Sequence, residues 1–298
     1  MKIMITGGEG QLGTELIDQS AAHGIEVLAP TLAEMDLTRP ADVDGFWDAF
    51  RPTAVINAAA YTAVDRAESE AELAFAVNAA APAYLARRCS RQGIPLIHIS
   101  TDYVFDGLKG SPYLEEDPIA PLGVYGRSKA EGESAVRGAL DRHLIIRTSW
   151  LYSAHGINFV KTVMRLAAER DELRIVDDQV GSPTCATDLA AAILAIMDRQ
   201  GAGEAVPWGT YHYCGSGVTS WYGLACYVLE TLVSRGNTAS FRITPIPTVQ
   251  YPTPARRPPY SVLDCHRIES SFGLARPPWQ SSVAKTVDRL LKAAGLRR

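Results

Sequence analysis

Ile3-Met4-Ile5-Thr6-Gly7-Gly8-Glu9-Gly10-Gln11-Leu12-Gly13 passes from an apolar run into glycines at positions 7, 10 and 13, and a helical pattern continues through Ile17. That reads as strand, glycine turn and helix. Glycines there let the backbone approach a pyrophosphate, whose charge is favoured at a helix N-terminus. A tight turn after any strand would look similar, so the meaning comes from the rest of the chain. Glu26–Ala29, Ala54–Asn57, Leu96–Thr101 and Leu144–Thr148 read as further strands. Between them lie helices over Val43–Phe50 (capped by Thr38 or Asp42), over Glu70–Gln92 (bent near Pro82), and from Tyr125 onward. This alternation implies the α/β class with a doubly wound, parallel, Rossmann-like sheet. Right-handed crossovers would gather the glycine turn, Thr101 and Tyr125 at one sheet edge.

Beyond Trp150 the texture changes. Helices over Phe159–Arg170, Asp188–Arg199 and Val283–Ala293 are separated by Pro- and Gly-rich loops such as Gln179–Thr184 and Tyr251–Pro258. Loops of that kind often build a cleft. The expected division is a dinucleotide-binding domain over 1–150 and a smaller, mainly C-terminal α/β substrate domain over 151–298, with some segments returning to the first.

Of the twelve tyrosines, only Tyr125 has a lysine four residues on, in Tyr125-Gly126-Arg127-Ser128-Lys129. On a helix that spacing puts phenol and ammonium on one face. A neighbouring cation lowers a tyrosine pKa and would let Tyr125 exchange a proton, as carbonyl reduction by hydride requires. By spacing alone an ordinary surface pair is the commoner reading, and the glycine turn and the hydroxyl-bearing strand end upstream are what favour the chemical one. Ser100 and Thr101, at the carboxyl end of their strand, stand where open α/β sheets place their sites. His98, inside the same apolar run, reads as a core residue. Ala58-Ala59-Ala60 suits either close passage of a cofactor or tight helix–sheet packing. The second strand continues into Pro30-Thr31-Leu32, with neither the acid that holds ribose hydroxyls nor an arginine for a 2′-phosphate, so NAD versus NADP stays open.

The bulk numbers narrow the class. Apolar residues make up 47% of 298 and charged residues 21%, with a net charge of −4, which argues against a nucleic-acid or membrane-surface binder. Five scattered cysteines without a C-x-x-C, and six histidines without H-x-x-H, indicate neither a disulfide framework nor a metal site and fit a reducing cytoplasm. No signal peptide or membrane-length apolar run is present, so a cytoplasmic enzyme is expected.

Together, the Gly7/Gly10/Gly13 turn, Asn57-Ala58-Ala59-Ala60, Ser100-Thr101 and Tyr125-x-x-x-Lys129 resemble the extended short-chain dehydrogenase/reductase family. Longer stretches narrow the resemblance to its branch acting on dTDP-linked 4-keto sugars. They are Asn57 to Asp65, Ser100 to Phe105, Arg147-Thr148-Ser149-Trp150 and Tyr251-Pro252-Thr253-Pro254-Ala255-Arg256. The resemblance implies reduction of the C4 ketone of dTDP-4-dehydro-β-L-rhamnose with NADPH or NADH. It makes Tyr125 the general acid, Lys129 its partner and a ligand of the nicotinamide ribose, and Thr101 the hydrogen-bond donor to the ketone oxygen. Gly7, Gly10, Gln11, Leu12 and Gly13 would lie at the pyrophosphate, Asp36 and Leu37 near the adenine, and Ala60, Tyr61 and Thr62 along the cofactor. Asp102, Val104 and Trp150 would border the sugar; Asn158, Gln179 and Arg256 would reach the nucleotide end.

The bland readings are that Thr101 merely caps a strand end, Trp150 fills a core and Arg256 faces solvent; for Thr101 the order of Thr101, Tyr125 and Lys129 on their elements speaks against it. Relatives often carry an acid where Pro30-Thr31 stands, which weighs against strict NAD use, and commonly His in place of Tyr61. Some are magnesium-linked homodimers, so Mg2+ and a homodimer travel with the resemblance, although no metal cluster is legible. The rivals of the same fold are another nucleotide-sugar reductase, an epimerase or a 4,6-dehydratase, of which the dehydratase would show Glu after Thr101-Asp102 where Tyr103 stands. A non-catalytic nucleotide-binding subunit tends to lose the Tyr/Lys pair.

Overall fold

Ile3 and Ile5 pack into one apolar core and Met4 into another, so the first strand is covered on both faces, as parallel sheets require. A computed structural model describes residues 1–236 and 242–295. Its strands, in chain order, begin with β1 (Lys2–Thr6), β2 (Glu26–Leu28), β3 (Ala54–Asn57), β4 (Leu96–Thr101), β5 (His143–Thr148), β6 (Leu151–Tyr152) and β7 (Glu172–Val176). They end with β8 (Val180–Gly181), β9 (Thr184–Cys185), β10 (Gly209–His212), β11 (Thr219–Ser220) and β12 (Arg242–Ile246). The main sheet has six strands in the order β2-β1-β3-β4-β5-β10, every pair parallel. The order reverses between β1 and β3. There Thr6 lies in register with Asn57, while Thr101 pairs with Thr148 two strands further on. The carboxyl ends of β1, β3, β4 and β5 thus line one edge, where a doubly wound sheet binds ligands.

The helices are α1 (Gln11–Ser20), α2 (Pro40–Phe50), α3 (Val64–Ala67), α4 (Ala71–Phe75), α5 (Ala81–Gln92), α6 (Val124–Ala139), α7 (Phe159–Glu169), α8 (Ala186–Gly201), α9 (Trp221–Ser234), α10 (His266–Phe272) and α11 (Trp279–Ala293). One face of the main sheet is covered by α1, α8 and α10 through Leu16, Leu189, Ile193 and Ile268. The other is covered by α2, α5 and α6 through Trp47, Leu85 and Val136. A separate core joins α7, α9 and α11 through Val163, Leu229 and Val283. Three two-stranded pairings, β7/β12, β8/β11 and β6/β9, accompany it. Residues of α8, β10 and α10, all beyond position 150, belong to the main sheet and its core.

Two local readings are corrected. The helix preceding β3 is capped by neither Thr38 nor Asp42: Arg39 is the cap, and Pro40 opens the first turn, where its missing N–H costs nothing. Asp36 accepts from the amide and hydroxyl of Thr38, at 2.9 and 2.7 Å, and Asp42 accepts from the Asp36 amide at 3.2 Å. The long helix over 70–92 is not one bent α-helix. Residues Ala76–Ala80 form a π-helical turn between α4 and α5. Pro82 cannot donate to the Asn78 carbonyl four residues back, so the regular ladder is lost at this point.

Candidate active site

The turn after β1 leaves no room for a side chain at Gly7 or Gly13. A Cβ on Gly7 would lie 2.6 Å from the Ala59 amide nitrogen, and one on Gly13 would lie 2.1 Å from the Gly7 carbonyl. Gly7 also sits at φ 72, in the left-handed region. α1 begins at Gln11 with Gly10 as its cap and no side chain closing its first turn. The first-turn amides of Gln11, Leu12 and Gly13 therefore face the end of the sheet, a cradle that fits the pyrophosphate of a dinucleotide. At the end of β2 the fold brings up two acids that local sequence did not announce. Glu34 accepts from Thr31 N and Oγ1, both at 2.8 Å, and Glu9 accepts from Leu32 N at 2.9 Å.

Downstream of β3, Tyr61 is fixed by its backbone. Its N–H donates to Asn78 Oδ1 (2.8 Å), and its carbonyl accepts from Asn78 Nδ2 (3.1 Å), which also donates to Ser128 Oγ (3.0 Å). Asn78 lies in the π-helical turn and is fully buried. The segment Ala60-Tyr61-Thr62 is thus tied to α6 through one side chain.

At the end of β4, Thr101 Oγ1 donates to Asp102 Oδ1 (2.9 Å) and accepts from Tyr103 N (3.2 Å). Gly126 lets α6 abut this turn, since a Cβ there would stand 2.2 Å from the Tyr103 carbonyl. Tyr125 is thereby set edge-on to Tyr103, ring centroids 5.5 Å apart. Lys129 follows one turn later, buried, with Nζ donating to the Ile99 carbonyl at 2.6 Å.

The electrostatics correct the expected pKa argument. Tyr125 is not lowered: burial pushes the phenol up to about 12, Thr101 offsets part of this, and the Asp102 charge adds to it. Lys129 is itself brought down to about 8 by burial, with Glu133 opposing. Desolvation dominates at both groups, so the phenol holds its proton. Asp102 is raised to about 6 by burial, which Ser261 and Thr101 partly offset; its Oδ2 has no partner in good hydrogen-bond geometry.

The remaining predicted residues are distributed around this centre. Trp150 adopts φ 50 and stacks on Trp221, centroids 3.7 Å apart. Gln179 accepts from Trp221 Nε1 (3.2 Å) and donates to Thr248 Oγ1 (3.0 Å). This group joins the centre through Val180, which pairs with Pro259 and Ser261. Asn158 caps α7 and donates to Gln11 Oε1 at 2.9 Å, so it ties the glycine turn to the smaller core. Val104 is wholly buried in the main core and shapes the turn from beneath. Asp36 turns the chain at Thr38, and Leu37 packs into the core beside Met35. Arg256 is exposed on a loop that Arg257 anchors to Asp65 (2.8 Å).

Sequence reasoning missed Asn78, Trp221, Asp65, Arg257 and Glu133. Glu133 carried a signal, standing one helical turn after Lys129, and Asp65 closed a stretch already singled out. Among the described residues no three or more His, Cys, Asp or Glu side chains are grouped to hold a metal, and no helix is long and apolar enough to cross a membrane.

A parallel doubly wound sheet with a glycine cradle at β1 and a Tyr/Lys pair beside β4 defines an oxidoreductase of the short-chain dehydrogenase/reductase class. Within it, the chain belongs to the dTDP-4-dehydrorhamnose reductase family, whose model, described as RmlD substrate binding domain, matches residues 1–292. A dTDP-4-dehydrorhamnose reductase of Aggregatibacter actinomycetemcomitans is 42% identical over 284 residues, 95% of this chain and 97% of that protein. The crystal structure of a dTDP-4-dehydrorhamnose reductase from Clostridium acetobutylicum superposes with TM-score 0.90 at 38% identity, covering 97% of this chain and 99% of that one. One from Bacillus anthracis, solved with NADP, gives 0.90 at 33% identity over the same shares.

Proposed function

We propose that the chain reduces the C4 ketone of dTDP-4-dehydro-β-L-rhamnose to the alcohol, giving dTDP-β-L-rhamnose. When bound, NADPH or NADH supplies the hydride to C4. Gly7, Gly10, Gln11, Leu12 and Gly13 hold the pyrophosphate, and Lys129 the nicotinamide ribose. Thr101 donates a hydrogen bond to the ketone oxygen and orients it. Tyr125 gives that oxygen its proton as the carbon becomes tetrahedral, and Lys129 stabilises the phenolate left behind. The smaller core, with Trp150 and Gln179 on its near side, receives the nucleotide sugar.

The observation that carries this reading is that Thr101 ends β4, Tyr125 packs on Tyr103 just after it and Lys129 binds the Ile99 carbonyl of the same strand, at the sheet edge that also bears the glycine cradle. A phenol kept neutral by its surroundings suits a proton donor in the reducing direction. The test is loss of NADPH absorbance on addition of dTDP-4-dehydrorhamnose. Tyr125→Phe is expected to slow turnover by at least ~10²-fold, the contribution of a positioned proton donor, while cofactor binding persists. Wild-type protein that binds NADPH without turnover would instead favour a non-catalytic nucleotide-binding subunit. Saturation with NADPH and NADH on one preparation measures how Glu9 and Glu34, beside Thr31, weigh against a 2′-phosphate.

A further inference from the structure

The stripe of α6 that carries Tyr125 and Lys129 continues at the same spacing to Glu133 and Arg137. Glu133 is wholly buried, and the mechanism above does not use it. Its carboxylate is filled: Oε1 accepts from Ser100 Oγ (2.6 Å) and Arg147 Nε (2.8 Å), and Oε2 from Arg147 Nη2 (2.8 Å) and Arg137 Nη1 (3.1 Å). Arg147, on β5, is buried too. Beyond Glu133 its Nη1 reaches the Glu115 carbonyl (3.2 Å) and His212 Nε2 (3.3 Å), and its guanidinium lies 5.1 Å from the Phe105 ring centre. A buried ion pair gains little net stability, because desolvation cancels much of its attraction. Its place in the structure therefore calls for another task.

That task is visible one helical turn back. The groups set against Lys129 are Glu133 from its own helix, at the i,i+4 spacing that shares one face, and His98 and the Ile99 carbonyl from β4. Burial keeps His98 neutral at ordinary pH. Glu133 is therefore the carboxylate that opposes the loss of the lysine's charge. We propose that Glu133, clamped by Arg147, Ser100 and Arg137, is a positioning residue that keeps Lys129 an ammonium ion in the dry interior of the fold. The network reaches from the sheet interior to His212 on the edge strand, so the carboxylate cannot turn away without stranding Arg147.

The inference rests on the catalytic reading of Lys129, and its test separates the two. The side-chain Cε of lysine, followed by carbon NMR in protein without cofactor or substrate, reports the Lys129 titration directly. In Glu133→Gln the midpoint is expected to fall by ~1 unit or more, the size of effect a nearby opposite charge exerts. The high-pH limb of the reductase profile should move acid-ward by the same amount. A purely structural role would lower thermal stability and leave both midpoints in place. Should Glu133→Gln fail to fold, Glu133→Gln/Arg147→Met removes the two charges together and is expected to shift the lysine in the same direction. An unmoved Lys129 midpoint in a folded variant overturns the proposal. Wild-type protein without reductase activity would overturn the functional reading and leave the lysine measurement intact.

Discussion

Asp102 has one oxygen held by Thr101 and the other buried without a well-formed hydrogen bond, and its pKa stands at about 6 against an ordinary 3.8. A carboxyl group raised in the folded state binds its proton more tightly there than in the unfolded chain. The associated stability is full below pH ~4 and is lost as pH rises through ~6. At ~1.4 kcal/mol per unit, a rise of about two units means ~2–3 kcal/mol. Asp102→Asn is neutral at every pH and should be more stable than the parent at pH 7.5 by that order, with the difference closing near pH 4. Urea midpoints at the two values check it; a difference that does not change with pH would show that Asp102 is not the group responsible. Tyr125, Lys129 and Thr101 could be picked out because their spacing and strand position carry chemistry. Their proton affinities could not, because burial depends on what packs over them, and that is decided by residues far along the chain.

At the scale of elements, the π-helical turn between α4 and α5 is a small irregularity with a defined purpose. It turns Asn78 inward to tie Tyr61 and Ser128 together. Asn78→Ala would leave the Tyr61 amide and carbonyl without partners in a part-buried setting. The expected cost is ~1–3 kcal/mol in urea unfolding, accompanied by weaker binding of NADPH in a fluorescence titration. Unchanged cofactor affinity would mean that the 60–62 segment holds its shape unaided. The five early strands were legible because apolar runs bounded by glycines and prolines mark them well. The π-helical turn was not, since Pro82 announces an interruption without saying how the upstream helix accommodates it. The partner of Trp150 was hidden for a related reason: Trp221 lies 71 positions away, and no local pattern joins them.

Across the whole molecule, long-range polar contacts help tie the smaller core to the main sheet. Gln11 meets Asn158, and Arg289 reaches Glu15 at 2.6 Å with His155 alongside. The loop bearing Arg256 is fastened to α3 by Arg257, whose guanidinium makes two contacts with Asp65, at 2.8 and 3.2 Å. Trypsin can cut after exposed Arg256 but not after Arg257, because Pro258 follows. Asp65→Asn should therefore raise the rate of cleavage between Arg256 and Arg257 several-fold, read by mass spectrometry of timed digests. Equal rates would show that the ion pair does not restrain the loop.

The strand order also bears on how the chain is made. β10 closes the main sheet beside β5, α8 covers one of its faces, and Tyr113 bridges to Leu263 across 150 positions. A nascent chain that has emerged only as far as Trp150 carries the cofactor cradle and the Tyr/Lys pair on a sheet with one face covered by α1 alone and an unpaired edge. Such an intermediate is poised to aggregate until its remaining half leaves the ribosome. The N-terminal half should accordingly resist expression as a separate fragment, and splitting the gene at the apparent boundary would yield two insoluble pieces.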